Sequence, residues 1–307
     1  MKSIIIAFLT LLVLPANAQK SLAEKLGYSN EDKLLIIHAD DLAVSHSENI
    51  ATFLAMKAGS VNSASIMMPC GWVSEVAAFK KENPTADLGL HLTLTNEWYH
   101  LNWGPVASTD KVPSLLTNNG FLRPNCLEFG MNAVVEEAEI ELRAQKEKAY
   151  AIGLDPTHFD AHMGCLFFSS ADLFEVYLKL GREYKVPVMV SRFFMQAATQ
   201  AFKDKITDQD VIIENVHTAG TADYDSGLAA YYEKTLNELG SGVHVLLIHT
   251  AFDNAEMQAV TIGQEYWGAR WRQQDFDFFT STNCKTLLND NNIKLVKWSD
   301  IKKVWYK

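Results

Sequence analysis

Two carboxylates, Asp40 and Asp41, stand side by side in the stretch "LLIIHADDLAVSHSENIA", where an apolar run stops. Adjacent carboxylates at a strand end repel one another, so a fold that keeps both there needs a compensating positive charge. Three histidines and a third aspartate occupy comparable places: His91 inside "GLHLTL", Asp160 and His162 inside "THFDAHMG", and His249 at the end of "VLLIH". A single histidine on a buried strand is ordinarily a hydrogen-bonded core residue. Three of them beside a carboxylate pair make an N/O donor set for Zn²⁺ or a similar divalent ion, with positions left for water and substrate. One aspartate then binds the ion, and the other stays free to take a proton from water. The alternative for either aspartate is a plain cap on the helix that begins near Ser45.

The elements that must position these residues follow from hydrophobic patterning. Strand-like apolar runs lie at 34–39, 60–68, 88–94, 157–164, 186–191, 211–216, 243–249 and 293–298, alternating with segments of helical spacing, most clearly 130–152. This alternation predicts a parallel sheet. Seven or eight strands without a Gly/Ser-rich linker predict an α/β fold over residues 19–307, a single distorted (β/α) TIM-like barrel. In such a barrel, polar residues at the C-terminal ends of strands converge on one mouth. Residues 96–125, rich in Asn, Pro, Trp and Gly, read as a long loop after the third strand. No Walker loop, GxGxxG after a strand, GxSxG or HExxH occurs.

Residues 1–18 carry Lys2, an apolar stretch from Ile4 to Leu14 and the small-residue pattern Ala16-Asn17-Ala18, the pattern of a signal peptide cleaved after Ala18. The expectation is an exported protein, periplasmic or extracellular, with no membrane association after cleavage. The formal net charge is -10, and loss of Lys2 makes it one unit more negative. An acidic chain argues against nucleic acid and anionic membranes as partners. The four cysteines, Cys70, Cys126, Cys165 and Cys284, allow three complete pairings, and the sequence does not choose among them.

The blocks "HADDLAVSHSEN", "GLHLTL", "THFDAHMG" and "LLIH", in this order, resemble the YdjC/ChbG family of carbohydrate deacetylases, over essentially the whole chain after residue 18. The ending "RQQDFDFFTSTNCKTLLNDNNIKLVKW" is similar to the family's closing helix and strand. The resemblance implies a distorted β/α barrel that uses one divalent metal ion, zinc or magnesium, to hydrolyse N-acetyl groups on an amino sugar or oligosaccharide. It implies Asp40 as general base, Asp41, His91 and His162 as metal ligands, and His249 as the second catalytic residue, a general acid or oxyanion partner. Asp160 would orient a histidine and His158 would support the site. Arg272 and Asp275 would either pair with each other or support it.

Three departures touch the pocket. Met163 and Gly164 follow His162 where the family often has further histidines, Ala43 replaces a turn glycine, and Thr250 replaces a proline. None removes an expected ligand, but each bears on which sugar is taken. Trp98, Tyr99 and Trp103 in the long loop suit stacking on a sugar and equally a small core of the loop itself. Two rival activities remain at this level: an esterase acting on a decorated glycan, and a non-enzymatic glycan-binding member of the fold.

Overall fold

The computed structural model describes residues 20–306; the signal sequence expected at 1–18 lies outside the described residues. Among the described residues seven parallel strands form one sheet: β1 (Lys33–Leu42), β2 (Ser63–Ile66), β3 (Leu88–Leu92), β4 (Phe159–Ala161), β5 (Asn215–Thr218), β6 (Gly242–Ile248) and β7 (Ile293–Leu295). Their order is β4-β3-β2-β1-β6-β5. β6 pairs along β1 from Lys33↔Gly242 to Ala39↔Ile248. The remaining contacts of β1 are divided: β7 pairs with Lys33–Leu35, and β2 pairs with residues from His38 onward.

β1 organises the interior. Leu34 and Ile36 join Val243, Val245, Ile213 and Trp298 in one apolar cluster, while Leu35, Ile37 and Ala39 join the larger cluster shared with the helices. Side chains alternate along a strand, so the face of Leu34 and Ile36 continues upward as His38 and Asp40. The inner face thus changes from apolar floor to polar mouth within one strand.

The sheet is curled, and among the described residues its ladder is open between β4 and β5. Residues 187–192 cross that gap through the isolated parallel bridges Phe159↔Val188 and Ser191↔Ile213. The strand expected at 186–191 is therefore reduced to bridges; Pro187 has no N–H to donate, which removes one ladder bond. The strand expected at 211–216 is displaced to Asn215–Thr218. The helix expected over 130–152 is divided into Cys126–Asn132 and Val135–Ala151, because Ala133 and Val134 are extended. Among the described residues no helix is long and apolar enough to cross a membrane.

Candidate metal centre and active site

Strand alternation alone would send Asp40 and Asp41 to opposite faces. A bulge prevents this: β1 advances from Ala39 to Leu42 while β2 advances only from Ala64 to Ile66. The extra residue re-aims the chain. Asp41 has φ 66 and Ala43 φ 82, both in the left-handed region. The second value explains why glycine would be the ordinary residue at position 43. Asn49 holds the turn, its Oδ1 accepting from the Ala43 N–H at 2.7 Å. Ser45, not an aspartate, caps the helix His46–Ala58, accepting from Glu48 N–H. Both carboxylates are thereby free of capping.

The neighbouring strands supply the histidines by register. His91 on β3 lies opposite Asp160 on β4. His162 follows β4 at once, where Met163 (φ 54) and Gly164 (φ 69) turn the chain. Asp41 Oδ1 stands 3.3 Å from His91 Nε2 and 3.4 Å from His162 Nδ1, and the two nitrogens are 3.1 Å apart. Ligands at 2.0–2.1 Å in a zinc tetrahedron stand about 3.4 Å from one another. Asp41 Oδ1 is buried and has no hydrogen-bond partner among the described residues. One orphaned carboxylate oxygen and two convergent imidazole nitrogens fit a divalent cation.

Both imidazoles are oriented through their far nitrogens, as metal-binding histidines commonly are. His91 Nδ1 lies 2.9 Å from Asp160 Oδ1, and His162 Nε2 lies 2.9 Å from Glu97 Oε2. Asp160 Oδ2 is also 2.7 Å from His38 Nε2, which lies 3.0 Å from Asp40 Oδ1. Burial opposes a charge on His38, but hydrogen bonds to Asp160 and Asp40 outweigh it and raise the ring to about 9. Burial likewise opposes the His162 imidazolium, and Glu97 with Asp41 draws it up to about 9. The pocket is arranged to hold positive charge at this point.

Arg272 braces the other side. Its Nη2 donates to Asp41 Oδ2 at 2.8 Å, its Nη1 to Glu48, and its Nε to the Trp267 carbonyl at 2.7 Å. Burial works against ionisation of Asp41, yet Arg272 and the two imidazoles hold its carboxyl well below the usual range. Arg272 and Asp275 do not pair with each other; Asp275 accepts from the His249 backbone N–H at 2.9 Å and from the Tyr232 hydroxyl at 2.5 Å. His249 thereby stands with Nε2 at 3.9 Å from Asp41 Oδ2, and burial pushes its imidazole down to about 4.

All five residues singled out from the sequence, Asp40, Asp41, His91, His162 and His249, line one cavity of about 510 Å³ together with Asp160 and Arg272. His158 lies lower on the same inner face, stacked on Trp298, its ring 2.4 Å from where a Cβ on Gly89 would stand. Sequence reasoning missed His38, Glu97 and Glu48. Alternation along β1 would have placed His38 beside Asp40; nothing in the loop's pattern marked Glu97. Trp98 and Trp103 are buried and pack edge to face at 6.1 Å, whereas Tyr99 is exposed. The tryptophans thus form the loop's core, with Trp98 also facing the cavity. Cys126 and Cys165 are disulfide-bonded, tying the end of that loop to the turn after His162; Cys70 and Cys284 are free and buried.

Residues 34–290 match the YdjC-like protein family. The chain is 30% identical over 267 residues to a carbohydrate deacetylase of Brevibacillus brevis, covering 87% of this chain and 99% of that one. A chitooligosaccharide deacetylase of Yersinia enterocolitica is 30% identical over a shorter span, 43% of this chain and 49% of its own. A crystal structure of an Enterococcus faecalis protein assigned to cellobiose-phosphate cleavage superposes with a TM-score of 0.70 at 22% identity, covering 87% of this chain and 98% of that one. At that identity the likeness bears on the fold.

Proposed function

Since this chain belongs to the YdjC-like protein family, we propose that it is a divalent-metal-dependent hydrolase that removes N-acetyl groups from an amino sugar or oligosaccharide. The observation that carries this reading is the convergence of Asp41 Oδ1, His91 Nε2 and His162 Nδ1, with Asp40 and His249 on the same cavity. Those three atoms would hold the ion, zinc or magnesium. When bound, it supplies a Lewis acid and a water that deprotonates near neutrality.

The chain's own groups account for the proton movements. Asp40 accepts the proton lost by the attacking water. His38, held by Asp160 and Ser63, fixes the Asp40 carboxylate against the site. A carbon–oxygen bond forms at the amide carbonyl, the carbon–nitrogen bond breaks, and the leaving amine takes up a proton. His249 relays to the amine the proton that Asp40 took from the water. Burial keeps its ring neutral at rest, and Asp41 is placed to stabilise positive charge as it develops there. Arg272 keeps Asp41 ionised throughout. The products are acetate and a free amino sugar.

The reaction site opens where we read the curled sheet as completing its barrel through residues 187–192. We further place the enzyme outside the cytoplasm. The pattern of residues 1–18 and the Cys126–Cys165 disulfide support this reading, since disulfides persist in oxidising compartments. The test of the activity is a screen of acetylated oligosaccharides with zinc-loaded protein, read by mass spectrometry. Loss of an acetyl group from an N-acetylated sugar supports the proposal; loss only from O-acetylated sugars would make the enzyme an esterase.

A further inference from the structure

Trp98 and Trp103 form the core of their own loop, but another tryptophan reaches the cavity from elsewhere. Trp267 lies between the helices Ala255–Val260 and Ala269–Thr280, lines the cavity and is 37% exposed. Its backbone stands at φ 54, a left-handed conformation that a bulky side chain adopts rarely and under strain. The fold holds it there. The Trp267 carbonyl accepts from Arg272 Nε at 2.7 Å, and Gly268 passes so near the Gln264 carbonyl that a Cβ would stand 2.5 Å from its oxygen. Arg272 also donates to Asp41, so the position of Trp267 is tied through one side chain to the residue that would hold the ion.

The indole is rigidly backed. Trp267 stacks on the buried Trp271 with centroids 4.9 Å apart and 24° between planes, and Trp271 stacks on Tyr224 at 4.8 Å and 7°. This column occupies one face of the Trp267 ring and leaves the other to the cavity. Gln264 lines the cavity as well, its Nε2 3.5 Å from the Glu97 carbonyl. Packing alone does not account for a strained tryptophan that stays more than a third exposed. A flat aromatic face beside an amide suits a ligand with an apolar face and a polar edge. A pyranose with equatorial hydroxyls is such a ligand. Its axial C–H groups are weakly positive and meet the negative face of an aromatic ring, while its hydroxyls point outward, where an amide can both donate and accept.

We propose that Trp267 is the stacking platform for a pyranose ring of the acetylated substrate, with Gln264 at the ring's polar edge. This rests on the reading of the site as an amide hydrolase of amino sugars. Trp267 offers no acid, base or metal donor, so it sets the affinity for the sugar rather than the rate of cleavage. Tryptophans commonly dominate the recognition surfaces they belong to, and truncation here corresponds to a loss of about 10–30-fold in kcat/KM, carried by KM at little-changed kcat.

The experiment compares the zinc-loaded protein with Trp267→Ala and Trp267→Phe on the trimer of N-acetylglucosamine, measuring acetate release and the zinc dissociation constant. Trp267→Ala should raise KM by about tenfold or more and keep its zinc affinity, because the carbonyl that braces Arg272 remains. Trp267→Phe retains a flat ring and should stay within about threefold of the parent. A second readout needs no turnover: hydroxyl-radical footprinting of zinc-loaded Asp40→Asn, read by mass spectrometry at each tryptophan. The trimer should shield Trp267 and leave Trp72, which is 43% exposed and does not line the cavity, oxidised as before. An unchanged KM in Trp267→Ala, or oxidation of Trp267 that the trimer does not slow, would overturn the proposal, and acetate release would leave the deacetylase reading standing. Weakened zinc binding in place of a raised KM would also overturn it, making the indole a support for Arg272. Shielding of Trp267 without acetate release would uphold the platform and sink the amide-hydrolase reading beneath it.

Discussion

Replacing Glu97 by Gln isolates the orientation of one proposed metal ligand. The two Glu97 oxygens serve two donors: His162 Nε2 at 2.9 Å and Trp98 Nε1 at 2.7 Å. Glutamine offers a single acceptor oxygen, so one of the two donors must face an N–H group. An unmade buried hydrogen bond costs about 1–3 kcal/mol. The Glu97 side chain is 21% exposed, so the lower half of that range applies, equivalent to about 5–30-fold. Loss of the carboxylate that orients a metal-binding histidine typically costs about 10–100-fold in metal affinity. The overlap predicts a 10–30-fold rise in the zinc dissociation constant, measured by competition with a chelator. Saturating zinc should restore much of the acetate release, because the defect lies in holding the ion. An unchanged zinc dissociation constant alongside a lowered melting temperature would refute the reasoning and leave Glu97 as a packing residue of the loop.

Asp40→Asn should keep bound zinc and lose about 10²–10⁴-fold in turnover, whereas Asp41→Asn should lose zinc; identical metal contents and rates for the two variants would defeat their proposed division of roles. Gly89→Ala would drive a Cβ to within 2.4 Å of the His158 ring, which stacks on Trp298 and cannot easily retreat, so thermal melting should show a loss of about 1–3 kcal/mol; a wild-type melt would contradict it. Thiol titration under denaturant should count two free thiols, Cys70 and Cys284, and four would deny the disulfide. Cys126→Ser opens a link spanning 39 residues and should lower unfolding stability by about 4 kcal/mol on loop-closure entropy, as read from urea titration.

What could be read in advance depended on contrast. Asp40, Asp41, His91, His162 and His249 stood out because polar residues interrupt strands that are otherwise apolar, and the structure brings all five to one cavity. His38 shares that setting but was absorbed into an apolar run; applying alternation from Leu34 and Ile36 would have set it beside Asp40. Glu97 and Glu48 lie off the strands, on a loop and a helix, where a carboxylate is unremarkable in sequence and gains its role from long-range contacts alone. The bulge at Asp41 also had no local signal, since Ala43 occupies the left-handed position where glycine would have announced a turn. Among the elements, β1, β3 and β6 were plain from long apolar runs. The segment around Pro187 was not, because its apolar pattern cannot offset the missing donor. The pairing of Cys126 with Cys165 required the loop after β3 to be folded against the turn after β4, which spacing does not reveal.

In the proposed reaction Asp41, His91 and His162 hold one ion on which amide cleavage depends. The most direct test is to strip the purified protein with a chelator and titrate zinc back while following acetate release from a short N-acetylated oligosaccharide. The stripped protein should release no acetate and the rate should rise linearly to a plateau at one zinc per chain, with His91→Ala and His162→Ala folded but flat. Release that is undiminished after stripping, or equal zinc-dependent rates in either histidine variant, would contradict it.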